Sequence, residues 1–249
     1  MLAGERMDKR TVLVEAAATG VSGLSSAELF KLQTWFSPAF PVGAFSYSHG
    51  LEWTVEGGDV RCVQTLRQWI SGILAYGSGR NDAIILCAAW RAVKCENWKA
   101  VSEIGDLAAA LQPTAERRTE SMAQGAAFLS AVAAVWPCNA LRHFIEVAPS
   151  EVALPVAVGA AAAAHCVPLA PTLVAFLHGF AANLVSAGVR LVPLGQTDGL
   201  KVLAALEPAV LALAQKAHTA SLDDLGSAGF LADIAAMCHE TQYTRLFRS

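Results

Sequence analysis

The chain has 249 residues, of which 54% are hydrophobic and only 16% charged, and its formal net charge is −3. This composition excludes an intrinsically disordered chain, which combines low hydrophobicity with high charge. It also argues against nucleic acid as the main ligand, because phosphate contacts require clustered Lys and Arg and the sequence has no long basic run.

The cysteines and the first residues indicate a reducing compartment. The cysteines are scattered without a Cys-x-x-Cys pair, which is typical of small buried apolar side chains. The first residues lack a secretory signal, because the apolar patch at residues 12–18 is short and contains Glu15. We therefore expect a cytoplasmic protein in which residues 1–22 form a disordered tail.

Helical signals follow one another along most of the remaining chain. Ser25 and Glu28 have the spacing of a capping box. They predict a helix over residues 28–36. A second helix is predicted over residues 45–56, and Asp59 is placed to cap a third over residues 60–76. Further helices are predicted over residues 82–95, 98–111, 114–135, 140–147, 197–217 and 230–240.

One long segment, residues 152–189, contains no Asp, Glu, Lys or Arg. About 20 apolar residues suffice to cross a bilayer, so a membrane span has to be considered. Three prolines divide the segment, its first part is mostly alanine, and its second part carries His178 and Asn183. We interpret it as two buried helices, over residues 156–166 and 172–189, and keep a membrane-associated helical subunit as the alternative.

The predicted fold is therefore all-α. Strand signals are poor, since the sequence has neither alternating apolar runs nor a hairpin between them. We expect a single-domain bundle of about ten helices over residues 23–240, preceded by the flexible N-terminal tail. A C-terminal tail, residues 241–249, should bind a partner and become ordered on it.

No motif supplies a catalytic centre. The sequence lacks a phosphate-binding P-loop and a nucleophile elbow, so we predict neither an enzyme nor a cofactor. Cys238 and His239 are the candidate metal ligands, but adjacent helical side chains point about 100° apart. An ion would need further ligands from elsewhere. We predict no metal site and favour a surface or interface role for this pair.

Two segments differ from ordinary core or surface. Residues 32–52 gather aromatic side chains around two prolines and a turn glycine, which fits either a rigid core corner or a partner contact. Residues 239–249 carry Tyr, Leu, Phe and two Arg, although chain ends are usually polar and frayed. Tyr and Arg are enriched at binding hot spots, so this second segment predicts a docking function.

The same segments resemble the urease accessory protein UreF family. The closest agreement is at residues 37–52 (SPAFPVGAFSYSHGLE) and at residues 239–249 (HETQYTRLFRS). Residues 190–199 (RLVPLGQTDG) resemble a third family motif, whereas residues 116–121 and 154–159 fit more loosely. Residues 1–22 lie outside the resemblance, and Cys238 stands where the family would have a basic residue.

The resemblance implies a non-enzymatic, all-α homodimer that bridges UreD (also called UreH) and the GTPase UreG. Such an assembly inserts nickel into apo-urease in a GTP-dependent way, and the bridging protein would regulate GTP hydrolysis by UreG. A direct nickel carrier is the alternative within this chemistry. The partner-binding residues predicted from the motifs are Phe45, Tyr47, His49, Glu52, His239, Tyr243, Arg245, Leu246, Phe247 and Arg248.

Overall fold

The structure is a computed structural model that describes residues 24–249, so the predicted tail at residues 1–22 lies outside the described residues. Over the described part the chain is helical and contains no strand, which confirms the predicted all-α class. The helices are α1 (Ser26–Trp35), α2 (Leu51–Glu56), α3 (Val63–Tyr76), α4 (Ser78–Lys94), α5 (Trp98–Ala110), α6 (Ala115–Val135), α7 (Asn139–Val147), α8 (Leu154–Ala164), α9 (Leu169–Leu191), α10 (Gln196–Thr219) and α11 (Phe230–His239).

The predicted capping box at Ser25 is confirmed, and the helix begins at Ser26, two residues before the predicted start. The backbone N–H of Glu28 donates to Ser25 Oγ at 3.2 Å, and the backbone N–H of Ser25 donates to Glu28 Oε2 at 2.6 Å. This reciprocal pairing satisfies two of the donors that every helix leaves free at its N-terminus. The side chain of Thr114 likewise accepts a hydrogen bond from the backbone N–H of Arg117 and caps α6.

Four predicted helix starts are wrong by three residues or more; one of them, predicted at residue 172, lies at Leu169. The helix predicted from residue 45 begins only at Leu51, because His49 and Gly50 have φ angles of 58° and 72°, in the left-handed region. The helix predicted from residue 60 begins at Val63, where the Thr65 side chain accepts the backbone N–H of Cys62. The helix predicted from residue 82 begins earlier, at Ser78.

Helix α8 forms the centre of the core and packs against both α4 and α6. Its residues are small, and glycines permit close contact on both sides. A Cβ added to Gly159 would lie 2.5 Å from the Leu86 carbonyl oxygen of α4. A Cβ on Gly125 of α6 would lie 1.9 Å from the Val152 carbonyl oxygen, just before α8. The small side chains of this alanine-rich segment therefore allow the backbones of α4 and α6 to approach it closely.

The uncharged segment forms α8 and α9, as the two-helix interpretation predicts. Among the described helices, Leu169–Leu191 has the length and composition that would allow it to cross a membrane. Half of the apolar stretch in that helix is buried against the rest of the chain. Helix α9 packs along α10 and also contacts α3 and α4, which is how a core helix is placed.

Replacing Gly125 by Ala should destabilise the fold, because the added methyl group would collide with the Val152 carbonyl oxygen. Overpacking of this kind costs about 3 kcal/mol. Gly72 on α3 is the matched control, because a Cβ there meets nothing within 4 Å. Gly72→Ala should stabilise the fold by ~0.4–1 kcal/mol. Urea unfolding measures both variants, and equal midpoints would contradict the close packing of α6 on the segment before α8.

Candidate partner-binding site

The tail, residues 241–249, lies against the segment that leads into α2. The backbone N–H groups of Leu246 and Phe247 donate to the Glu52 carboxylate at 2.7 and 2.9 Å. Further along, the N–H of Arg248 donates to the Ser46 carbonyl oxygen at 2.9 Å. The sequence predicts that this tail becomes ordered on a partner, and in the single chain it already has these backbone partners.

A chain of ionisable side chains lies beneath the tail. His239, at the end of α11, is fully buried between two glutamates. Its Nε2 is 3.2 Å from Glu52 Oε2, and its Nδ1 is 2.7 Å from Glu116 Oε2. The other oxygen of Glu116 accepts from Arg245 Nη1 at 2.5 Å. The same two carboxylates therefore contact both the buried histidine and the tail.

The start of α6 is held by the residue that follows His239. Glu240 Oε1 accepts the backbone N–H groups of Ala115 and Glu116 at 2.9 and 3.3 Å. A carboxylate at a helix N-terminus satisfies free N–H donors and interacts favourably with the helix dipole. Glu240 thus fixes Glu116, at the first turn of α6, next to the end of α11.

Arg190 connects the tail to the aromatic residues of the 37–52 segment. Its guanidinium carbon lies 3.5 Å from the centre of the Phe45 ring and 4.4 Å from that of Phe247. Cation–π contacts of this kind stabilise by about 0.5–2 kcal/mol, depending on desolvation. Phe247 is only 4% exposed, so it serves as the apolar anchor of the tail. Arg190 begins the third family motif, which thereby acquires a structural role.

A second buried cluster receives the last residue of the tail. Ser249 Oγ donates to Glu120 Oε2 at 2.6 Å, and the Ser249 carbonyl oxygen accepts from the Ser48 backbone N–H at 2.7 Å. Burial alone would raise the pKa of Glu120, but the charge of Arg117 and several hydrogen bonds hold it below its usual value. Glu120 thus remains an ionised acceptor for Arg117 and Ser249.

His49 is held neutral in this cluster. Burial lowers the pKa of His49 to about 3, and the neighbouring charge of Arg117 acts in the same direction. Arg117 Nη1 lies 3.0 Å from His49 Nδ1, and a guanidinium can only donate, so Nδ1 is the acceptor. The ring proton is therefore on Nε2, which has no hydrogen-bond partner among the described residues.

A cavity of about 260 Å³ lies beside this cluster. Its walls are mostly apolar and include Trp35, Phe128 and Phe176, while His49 and Asp82 line its polar side. Burial raises the pKa of Asp82 to about 7; Arg117 opposes this shift and Glu120 adds to it. Asp82 is thus a carboxyl group that changes its charge near neutral pH.

The candidate metal ligands lie apart from any larger set of ligands. Over residues 24–249, no group of three or more His, Cys, Asp or Glu side chains is arranged to hold a metal ion. Both ring nitrogens of His239 face carboxylate oxygens, and Cys238 is half-buried beside it. The arrangement of these residues favours hydrogen bonding and ion pairing over metal coordination.

The predicted partner-binding residues divide into two groups. Half of them are buried, and their direct contact with a partner stays a prediction; these are Tyr47, His49, Glu52, His239 and Phe247. Glu52 binds the tail backbone, His239 contacts Glu52, and Phe247 is the buried anchor of the tail. The others present side chains at the surface; these are Phe45, Tyr243, Arg245, Leu246 and Arg248. The structure thus brings the two predicted segments together, although they are about 190 residues apart in the chain.

Sequence reasoning missed the outer face of α11. Phe230, Leu231, Ile234 and Met237 are between 51% and 73% exposed. The helix packs on α2 through small residues instead, and a Cβ on Gly50 would lie 2.6 Å from the Ala236 backbone nitrogen. The sequence of α11 does carry a signal for this face, because it places small residues on one side of the helix and large apolar residues on the other. When two helix backbones approach closely, the side with small residues is the one that is buried.

Replacing Asp82 by Asn should stabilise the fold above neutral pH. In the folded chain the pKa of Asp82 is about 7, whereas the ordinary pKa of an Asp carboxyl is 3.8. The free energy of unfolding therefore falls as the pH rises from 3.8 to about 7. At pH 8 the neutral amide should add at least ~1 kcal/mol, and at pH 4 it should add nothing. Thermal unfolding at both pH values is the measurement. The exposed Asp106→Asn variant is the control, and an equal gain at both pH values would contradict the buried charge.

Comparison with known proteins agrees with the motifs. A family model described as UreF matches residues 60–207. The urease accessory protein UreF of Rhodopseudomonas palustris strain BisB5 is 54% identical over 233 residues, which are 94% of this chain and 96% of that protein. The UreF of Bradyrhizobium sp. strain ORS 278 is 52% identical over 232 residues, covering 93% and 96% of the two chains. That of Xanthobacter autotrophicus strain Py2 is 50% identical over 243 residues, covering 98% and 100%. The chain belongs to the UreF family of urease accessory proteins.

Proposed function

We propose that the chain is a non-catalytic factor in urease maturation that bridges UreD (UreH) and the GTPase UreG. In this role it supports GTP-dependent nickel insertion into apo-urease and regulates GTP hydrolysis by UreG. It acts as a cytoplasmic homodimer, without membrane or nucleic acid. Family membership supports the proposal, and the observation that carries it is the docked tail, whose anchors are buried while Tyr243, Leu246 and Arg248 remain exposed.

The tail is suited to recognition because it is already held in place. A segment that has to become ordered on binding loses conformational entropy at that moment, and this loss reduces affinity. Here Glu52 holds the backbone and Phe247 supplies a buried anchor. Tyr243 is fully exposed and Leu246 is 67% exposed, so their apolar surface is available to a partner.

Helix α11 extends this surface. Its exposed apolar face lies directly before the tail in the chain, since α11 ends at His239. Single exposed apolar residues are common on protein surfaces, but a stripe of four on one short helix is characteristic of an interaction site. We assign the α11 face and the tail residues other than Arg245 to UreD binding, and the surface around Arg245 to UreG recruitment.

The alternative of a direct nickel carrier receives less support. Each ring nitrogen of His239 lies within hydrogen-bonding distance of a carboxylate oxygen. Coordination of a metal by either nitrogen would break one of these contacts, with Glu116 or with Glu52. Losing a hydrogen bond to a charged group costs roughly 1.5–3 kcal/mol.

Arg245→Ala should weaken UreG recruitment at least tenfold while leaving the fold and UreD binding largely intact. Glu52 continues to hold the tail backbone in this variant. Truncating a charge that is buried and hydrogen-bonded in the complex, as we propose for Arg245, costs ~2–5 kcal/mol. Affinity for UreG is measured by interferometry on the preformed complex with UreD, and urease activation is measured in the same background. Arg142→Ala, at an exposed arginine on α7, is the control. Full urease activation by the Arg245→Ala protein at normal expression would refute the role.

Ile234→Arg should abolish or strongly weaken UreD binding without unfolding the chain. Ile234 is 53% exposed on α11, so the folded chain can accommodate the guanidinium in solvent, whereas an apolar interface cannot. Leu211→Arg is the matched control, because Leu211 is 47% exposed on α10. Co-purification with UreD reports the outcome. Equal UreD binding by both variants would remove the α11 face from the proposed interface.

A further inference from the structure

His239 links the two carboxylates that hold the tail. The ring is fully buried, and each of its nitrogens lies within 3.2 Å of a carboxylate oxygen, Glu116 on one side and Glu52 on the other. An ionised carboxylate has no donor, so a hydrogen bond at each nitrogen requires a proton on each nitrogen. If both glutamates are ionised, hydrogen bonds at both nitrogens require an imidazolium between the two carboxylates.

The tail depends on the same two carboxylates. Glu52 accepts the backbone N–H groups of Leu246 and Phe247, and Glu116 accepts from the side chain of Arg245. Three consecutive tail residues are thus bound by two glutamates from different helices, α2 and α6. Among the described residues outside the tail, only His239 contacts both glutamates.

We infer that His239 is a positioning residue: as an imidazolium it cross-links Glu52 and Glu116 and thereby fixes the docked tail in the form that a partner recognises. A neutral ring would leave one carboxylate opposite a nitrogen lone pair. That carboxylate would turn toward solvent or toward another donor, and its contact with the tail would be lost. The consequence for partner binding rests on the proposed function, whereas the cross-link itself does not.

The cross-link has a spectroscopic signature in the unmodified protein. Nitrogen-15 NMR of the full chain at pH 7 reports the protonation of each ring nitrogen. The His239 signals are assigned as those that are absent from the spectrum of His239→Gln. We expect both His239 nitrogens at shifts characteristic of protonated imidazolium. One nitrogen at the shift of a deprotonated ring would overturn the inference, whatever the behaviour of any variant.

Two substitutions test the effect on the tail. His239→Gln can donate through only one nitrogen, and Glu52→Gln offers a single acceptor oxygen to two backbone N–H groups. In each variant the amide hydrogens of Leu246 or Phe247 should exchange at least tenfold faster than in the unsubstituted chain. His143→Gln and Glu103→Gln, at exposed positions of α7 and α5, are the matched controls and should exchange at the normal rate. Normal exchange in His239→Gln would overturn the positioning role.

The same variants separate the cross-link from the proposed function. Amide exchange is measured on the chain alone, and UreD affinity is measured afterwards on the same samples. Faster exchange together with at least tenfold weaker UreD binding supports both. Faster exchange with unchanged UreD affinity supports the cross-link and refutes the role of the docked tail in UreD binding.

Discussion

The arrangement of the proposed recognition surface depends on one carboxylate that accepts backbone hydrogen bonds. A segment outside regular secondary structure leaves some of its N–H groups without a local acceptor, and a buried N–H without an acceptor costs roughly 1–3 kcal/mol. Glu52 provides acceptors for two consecutive residues of the tail. It can do so because the left-handed backbone at His49 and Gly50 starts α2 beside the tail. The turn, the carboxylate and the tail therefore form one structural unit.

The charges that this unit buries are compensated locally. Buried ions are tolerated when each is paired and hydrogen-bonded, and removing one partner is costly because the other charge remains. His239 lies between Glu52 and Glu116, and Arg117 forms an ion pair with Glu120 in the neighbouring cluster. Two buried members of the predicted site, Glu52 and His239, therefore contact the tail directly or through Glu116. In this account a substitution at a buried member affects partner binding indirectly, through the tail.

The sequence predicts most of the fold because long helices carry local signals. The capping box at Ser25 and the apolar spacing along α3 and α4 identify these helices without knowledge of their neighbours. The start of α2 is different, because it depends on the close approach of Gly50 to Ala236, a contact between distant parts of the chain. The bonds from Glu52 to His239 and to Phe247 join residues 187 and 195 positions apart. A single sequence cannot indicate such pairs, so the residue types of the site could be predicted but not the division into buried anchors and exposed contacts.

Hydrogen exchange of the tail in the unsubstituted chain, alone and in complex with UreD, tests the central claim most directly. If the tail is docked before any partner binds, the amides of Leu246 and Phe247 are protected in the isolated chain, because Glu52 accepts both of them. Addition of UreD should then extend protection mainly to Tyr243 and to the α11 face. Free exchange of Leu246 and Phe247 in the isolated chain, with protection only after UreD is added, would contradict the account.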